Sequence, residues 1–183
     1  MDGHGSNDRG GLTFVFRFLQ RLFLEPDAEF CHYVQNNREG LAKLGIAVDE
    51  EVDLGALQLE YTRLFLGPEE HVPPYESAFR EGRFWGQSAA DVKKFIGDIG
   101  LQVDEEFTMP PDHIAIELEV LELILASDEP EAEEFYKRFF EEHLGWGFDL
   151  LGRLIPKTTS SFYKTSFEFA EKFLTSEKER LRA

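Results

Sequence analysis

Apolar side chains recur every three to four residues along most of the chain, which is the spacing of one helix face. The clearest case is residues 53–67, DLGALQLEYTRLFLG, where a capping aspartate opens the run and glycine ends it. Residues 12–25 and 113–126 are apolar at most positions, which predicts helices built for burial. Further helices are predicted for residues 27–45, 88–100, 127–145, 146–156 and 159–182.

No stretch alternates as a strand would, and no internal repeat is present. The pattern therefore predicts an all-α fold, a single-domain bundle of about eight to nine helices. Residues 1–11 are polar and glycine-rich, so we expect a disordered segment there and an all-helical domain over residues 12–183. Residues 68–87 form an irregular connection rich in proline and aromatic residues, and long connections of this kind often carry function.

The formal net charge of −17 narrows the choice of partners. Such a chain repels phosphate backbones, which disfavours nucleic acid and favours a basic peptide. The 18 phenylalanines suit either a ring-rich core or a groove for an apolar ligand. The chain has a single cysteine, Cys31, and therefore cannot form an intrachain disulfide. The absence of a signal peptide and of an apolar run of ~18 residues predicts a cytoplasmic protein without stable membrane insertion.

Sequence motifs for enzymes are absent. Neither a phosphate-binding GxxxxGK[ST] loop nor a GxSxG nucleophile turn occurs, and the five histidines form no HExxH. His113 and Glu117 lie one helical turn apart and could supply two metal ligands. An all-α metal-dependent enzyme using these residues with Glu119 and Glu122 is the alternative function, but we expect no catalytic activity, no metal and no cofactor.

The stretch PPDH, residues 110–113, directly precedes the apolar helix of residues 113–126. On one interpretation Asp112 starts the helix, because its carboxylate complements the exposed N–H groups there. His113 is less readily explained, since a helix N-terminus disfavours a cation and a buried imidazole needs a partner. The alternative is that the two side chains recognise the client directly, and this is the outcome that we expect.

Three motifs in a fixed order resemble the TorD/DmsD/NarJ family of redox-enzyme maturation chaperones. They are the YTRLF helix that ends in Gly-Pro, the Pro-Pro-Tyr-Glu-Ser turn, and the Pro-x-Asp-His motif before a Glu-rich apolar helix. The resemblance extends from about Leu12 to the last helix. It implies an all-helical fold without catalysis. It also implies binding of the twin-arginine signal peptide of a molybdenum- or tungsten-cofactor oxidoreductase subunit, which is held back from export until its cofactor is inserted.

The resemblance also assigns roles to individual residues. The residues associated with signal-peptide binding fall on Pro110, Asp112 and His113, and the Glu-Ser turn falls on Glu76 and Ser77. The YxxLF motif falls on Tyr61, Leu64 and Phe65, which we expect to be structural because they continue a buried stripe. The family's aromatic two residues before the first proline is replaced by Thr108, with Phe107 one position away.

Physical chemistry supports the same partner independently. A twin-arginine signal joins a basic stretch to an apolar one, which suits acidic groups beside aromatic rings. The rings available to form a groove wall are Tyr75, Phe79, Phe84 and Trp85. The oligomeric state stays open between a monomer and a dimer that exchanges helices.

Overall fold

The computed structural model describes residues 5–68, 70–102 and 109–182, with side chains from Gly11 onward. Within these ranges the chain forms ten α-helices and one π-helix, and its one β-type pairing is a bridge between Tyr75 and His113. The predicted all-α class is confirmed. The helices are α1 (Gly5–Leu22), α2 (Ala28–Asn36), α3 (Arg38–Lys43), α4 (Leu54–Tyr61), the π-helix (Thr62–Leu66), α5 (Glu76–Glu81), α6 (Gln87–Asp98), α7 (Ile114–Ala126), α8 (Ala132–His143), α9 (Gly147–Lys157) and α10 (Ser161–Arg180).

The helix count exceeds the predicted eight to nine for two local reasons. The helix predicted for residues 27–45 is divided at Asn37, whose side-chain amide donates to the Tyr33 carbonyl at 2.8 Å and competes with the backbone. A short helix, α5, also lies inside the connection that we expected to be irregular.

The first helix also starts earlier than predicted, at Gly5 and not at Leu12. The sequence predicted disorder up to residue 11, whereas residues 5–11 continue the helix. Once a helix is formed, each added residue gains a hydrogen bond without a new nucleation cost, which favours this extension. Residues 1–4 lie outside the described residues.

The chain divides into two compact units. The first unit contains the chain up to Phe23 and Pro74–Gly147. Its centre is α7, which packs against α1 and α8 and is buried along most of its length. Arg17 and Gln20 of α1 both donate to the carboxylate of Glu122 on α7, at 2.6 and 2.8 Å. The unit holds the Pro-x-Asp-His motif at the start of its central helix.

The second unit contains Leu24–Pro73 and the chain from Phe148 onward. Asp53 caps α4 as predicted, accepting from the Gly55 N–H at 2.8 Å. At the other end of α4, the buried Glu60 carboxylate accepts from the Thr159 N–H at 2.6 Å and from Arg63 Nη2 at 2.8 Å. This carboxylate therefore joins the end of α4 to the start of α10.

No helix within the described ranges is long and apolar enough to cross a membrane.

Candidate functional site

The Pro-Pro-Tyr-Glu-Ser and Pro-x-Asp-His segments are neighbours in the first unit. Residues 110–113 form a turn in which the Pro110 carbonyl accepts from the His113 N–H at 3.1 Å. The Asp112 carbonyl accepts from the Glu76 N–H at 2.9 Å, and the Ile114 N–H donates to the Pro74 carbonyl at 3.0 Å. The backbone thus brings together two motifs separated by more than thirty residues.

Asp112 is buried and caps a helix other than the one it precedes. Its Oδ2 accepts from the Ser77 N–H at 2.7 Å, in the first turn of α5. The side chain of Tyr75, the N-cap residue of α5, caps no N–H group. Asp112, which is distant in sequence, supplies the hydrogen-bond acceptor instead. The interpretation that Asp112 starts α7 is therefore wrong, because its carboxylate is directed to α5.

His113 is the residue that caps α7. Its Nδ1 accepts from the Ala115 N–H at 3.1 Å, so this nitrogen carries no proton and the neutral ring has its hydrogen on Nε2. Burial lowers the pKa of His113 to about 3, which keeps the ring uncharged at neutral pH. A neutral imidazole removes the conflict between a cation and the positive end of the helix dipole.

Two further carboxylates are buried beside the joined motifs. Glu76 Oε2 lies 3.1 Å from His143 Nδ1, and its Oε1 lies 2.9 Å from the Arg80 guanidinium. Glu117 Oε2 accepts from the Trp146 indole N–H at 2.9 Å. Burial, followed by the charge of Glu76, raises the pKa of Glu117 well above its ordinary value. The protonated, uncharged form of Glu117 is therefore favoured.

Sequence reasoning missed Arg80, His143 and Trp146. The spacing of Glu76 and Arg80 by four residues is a helical ion-pair signal that could have been used, had α5 been recognised. His143 and Trp146 are distant in sequence and show no local pattern that pairs them with Glu76 or Glu117.

Aromatic rings lead from the buried motif to the surface. The Tyr75 ring packs edge-on against His113 at 4.8 Å and against Phe84 at 5.1 Å between centroids. Phe84 is 52% exposed and Trp85 is 63% exposed. Trp85 has a φ of 56°, which is rare for a bulky side chain and concentrates at functional sites. We name residues 82–86, which present both rings, the aromatic loop.

The C-terminal end of the aromatic loop is fixed by Glu81. This carboxylate accepts from the N–H groups of Gln87 and Ser88 at 2.7 and 2.8 Å, and thereby caps α6. Gly86 is the N-cap residue, and a Cβ at that position would lie 2.1 Å from Glu81 Oε2. The helix predicted from Ser88 begins one residue earlier, at Gln87, so Ser88 lies inside the first turn and its N–H donates to the capping carboxylate.

The other predicted positions lie elsewhere. Phe79 is half-buried and packs against Trp146 at 5.2 Å, so it belongs to the interior side of α5. Tyr61, Leu64 and Phe65 belong to the second unit and are buried there, at the junction of α4 and the π-helix. Thr108 and Phe107 lie outside the described residues.

The geometry gives no support to the alternative metal site. His113 Nδ1 is engaged by the Ala115 N–H, and one oxygen of Glu117 is engaged by Trp146. In the part of the chain that the structure describes, no group of three His, Cys, Asp or Glu side chains is arranged to hold a metal ion.

The chain belongs to the nitrate reductase delta subunit family, whose profile matches residues 16–150. It is 31% identical over 125 residues to the chaperone protein YcdY of Escherichia coli, a match that covers 64% of this chain and 61% of YcdY. It is also 31% identical to the chaperone protein TorD of Vibrio parahaemolyticus, over 65% of this chain and 56% of that protein. The match thus spans about six tenths of the length of these relatives.

A crystal structure extends the similarity to nearly the whole chain. The protein from Archaeoglobus fulgidus, described as a proposed redox enzyme maturation protein, is 26% identical and superposes with a TM-score of 0.62. The match covers 96% of each chain. The resemblance to the TorD/DmsD/NarJ family is confirmed, and the names of YcdY and TorD describe chaperones and not enzymes.

Proposed function

We propose that this protein is a cytoplasmic chaperone that binds the twin-arginine signal peptide of a molybdenum- or tungsten-cofactor oxidoreductase subunit. It holds the subunit until the cofactor has been inserted, and it has no catalytic activity of its own. Family membership and the names of the similar proteins support the chaperone class. The net charge of −17 supports a basic peptide as the ligand.

The observation that carries the proposal is the aromatic loop beside the joined motifs. Two large rings, Phe84 and Trp85, are exposed on this loop. The loop joins α5 to α6, and a carboxylate caps the N-terminus of each of these two helices. Exposed aromatic side chains on a fixed backbone bind apolar segments at a low entropy cost, because few torsions remain to be ordered. The apolar part of the signal peptide is the segment that this loop would bind.

Asp112 and His113 contribute indirectly in this proposal, and not by the direct contact that we expected from the sequence. Both are buried and both serve as helix caps, which argues against direct contact with a peptide. The ring of Tyr75 packs against both His113 and Phe84. We therefore expect the Pro-x-Asp-His motif to position the aromatic loop. Glu76 and Ser77 provide the backbone N–H groups to which Asp112 is bonded.

Titration calorimetry against the signal peptide of the host's molybdenum enzyme tests the proposal. Trp85→Ala should weaken binding roughly tenfold or more, as expected for a central aromatic anchor. Leu123→Ala is a matched control, because Leu123 is 45% exposed on α7 outside the loop. Failure of the wild-type protein to bind the peptide, or equal losses in both variants, would count against the assignment.

The indirect role of the motif has its own test in the same assay. Asp112→Asn keeps an oxygen acceptor for the Ser77 N–H and removes the charge, and its NH2 group takes the place of the buried Oδ1. An indirect role predicts unchanged affinity, whereas direct contact with an arginine would cost about 1.5–3 kcal/mol of binding free energy. Circular dichroism establishes that the variant remains folded.

A further inference from the structure

The first unit contains a surface groove of about 510 Å³ that is lined by side chains of α6 and α8 together with Arg80 of α5. None of its lining residues belongs to the Pro-x-Asp-His motif or to the aromatic loop. Its volume lies within the ~300–1,000 Å³ usual for ligand pockets. Three basic and three acidic side chains line it, although acidic residues outnumber basic ones by 36 to 19 in the whole chain. We name this site the mixed-charge groove.

Two of the three basic side chains already have partners within the protein. Lys94 Nζ lies 2.6 Å from Asp98 Oδ2 on the same helix. Arg80 Nη2 lies 2.9 Å from Glu76 Oε1 and donates to the Glu142 carbonyl at 2.8 Å. These contacts use both cations within the fold.

Arg138 is the third basic side chain, and no carboxylate pairs with it among the residues that the structure describes. Its guanidinium carbon lies 4.5 Å from the centroid of the Phe95 ring and 5.6 Å from that of Phe135. These cation–π contacts hold the group in place and leave its N–H donors available. Glu142 follows four residues later on α8, at a spacing that permits an ion pair, yet the two side chains do not pair. The groove therefore keeps a positive and a negative side chain apart.

His143 contributes a buried acceptor to the same groove. The residue is 5% exposed, and its Nδ1 lies 3.1 Å from Oε2 of the fully buried Glu76. A carboxylate oxygen accepts, so Nδ1 carries the hydrogen and Nε2 of the neutral ring has the free lone pair. Within the described ranges Nε2 makes no hydrogen bond, and Glu142 Oε2 is 4.0 Å away from it. An unpartnered polar atom on a buried side chain requires an explanation, and a bound group supplies one.

The separation of His143 Nε2 and Glu142 Oε2 suits a single donor atom between them. At 4.0 Å the two acceptors are too far apart for a hydrogen bond to each other, but one nitrogen can lie about 2.9 Å from both. A primary ammonium group has three donors and can serve both acceptors at once. Both residues belong to the last turn of α8, where the helix dipole favours a positive charge. The planar fork of Arg138, in contrast, matches a carboxylate.

We propose that the mixed-charge groove binds the zwitterion of a free α-amino acid. The carboxylate of the amino acid accepts from the Arg138 guanidinium, and its ammonium group donates to His143 Nε2 and Glu142 Oε2. Phe95, which is 4% exposed and lies under Arg138, also contacts the His143 ring at 6.1 Å between centroids, so the two recognition groups border the same ring. The site goes beyond the proposed function, because no signal peptide is needed to fill it.

An NMR titration of the full chain with glycine, the smallest such zwitterion, tests the proposal. Glycine should shift the Arg138 Nε–H resonance and the His143 ring resonances together and saturably. Acetate and methylamine each carry one of the two charges and should bind at least roughly tenfold more weakly, because each lacks one set of charge-assisted contacts. An affinity for acetate or methylamine equal to that for glycine would overturn the proposal, as would the absence of a saturable shift with glycine.

Neighbouring positions on α8 provide matched control variants. Arg138→Gln and Glu142→Gln each remove one charge from the groove, whereas Lys137→Gln and Glu141→Gln remove the same charges from exposed positions outside it. Each groove variant should weaken glycine binding roughly tenfold, and each control should change it about twofold or less. Equal losses in a groove variant and its neighbour would mean that net charge, and not contact, attracts the ligand.

The probes and the variants are then crossed. Arg138→Gln should not change the affinity for methylamine, and Glu142→Gln should not change the affinity for acetate, because the contact that each variant removes is already absent for that probe. The reverse pattern would contradict the assignment of the two charges. Circular dichroism confirms folding, and the exposed Glu142 provides a variant that leaves the contact between Arg138 and Phe95 intact.

Discussion

Two buried titratable side chains at the start of α7, the N-cap residue His113 and Glu117 in the first turn, favour their uncharged forms and change the stability with pH in opposite directions. The folded protein has a lower pKa than the unfolded chain at His113, about 3 against 6.5. Its stabilising contribution is complete above pH 6.5 and is lost as the pH falls toward 3. The raised pKa of Glu117 has the reverse effect, complete below pH 4.5 and lost as the pH rises.

Between pH 4.5 and 6.5 the two contributions therefore oppose each other. Each has a slope of up to about 1.4 kcal/mol per pH unit. In His113→Asn, the free energy of unfolding should increase relative to wild type as the pH falls across this window. In Glu117→Gln, the free energy of unfolding should decrease relative to wild type over the same fall in pH. Urea unfolding followed by circular dichroism measures both, and parallel profiles for the two variants would mean that neither pKa is shifted.

At the level of single residues, the sequence predicted which residues lie together but not which hydrogen bonds each of them makes. Asp112, His113, Glu76 and Ser77 could all be selected from the motifs, and the structure brings them together. Their burial could not be predicted, because it depends on backbone pairing between segments far apart in sequence. Trp85 was selected as one aromatic among several, whereas its left-handed backbone and exposure appear only in the structure.

At the level of helices, carboxylates from other segments cap several N-termini. Asp112 caps α5, Glu81 caps α6, and Glu60 accepts from the N–H groups of Thr159 and Ser160 at the start of α10. Sequence rules for helix starts inspect only neighbouring residues. This explains why α5 was not predicted, whereas the cap of α4 by Asp53, which is a local residue, was predicted correctly.

Two glycines at α6 should respond to alanine with opposite signs. In Gly86→Ala the new Cβ meets the Glu81 carboxylate, which must move and give up its hydrogen bonds to α6, so the melting temperature should fall. In Gly97→Ala nothing lies within 4 Å, and alanine should stabilise the helix by about 0.5–1 kcal/mol. Thermal unfolding compares the pair directly. A higher melting temperature for Gly86→Ala would show that Glu81 does not fix the loop.

At the level of the whole molecule, the charge of −17 acts on every ligand that approaches. We expect affinity for the two-arginine peptide to fall between about 0.01 and 1 M salt, where the Debye length shrinks from about 30 to about 3 Å. Binding should not vanish, because apolar burial on rings such as Trp85 is not screened. Calorimetry over this salt range measures the trend, and an affinity independent of salt would contradict a charge-guided encounter.

The division of the chain into two units, each built from separated segments, has a consequence for synthesis on the ribosome. Helix α1 is translated before α7, its main partner, and the whole Leu24–Pro73 segment of the other unit lies between them in the sequence. At a translation rate of ~5–20 residues per second, the apolar face of α1 stays without that partner for on the order of ten seconds. The second unit is likewise incomplete until α10 has emerged. The nascent chain of this proposed chaperone therefore exposes unprotected apolar surface until α10 has been translated.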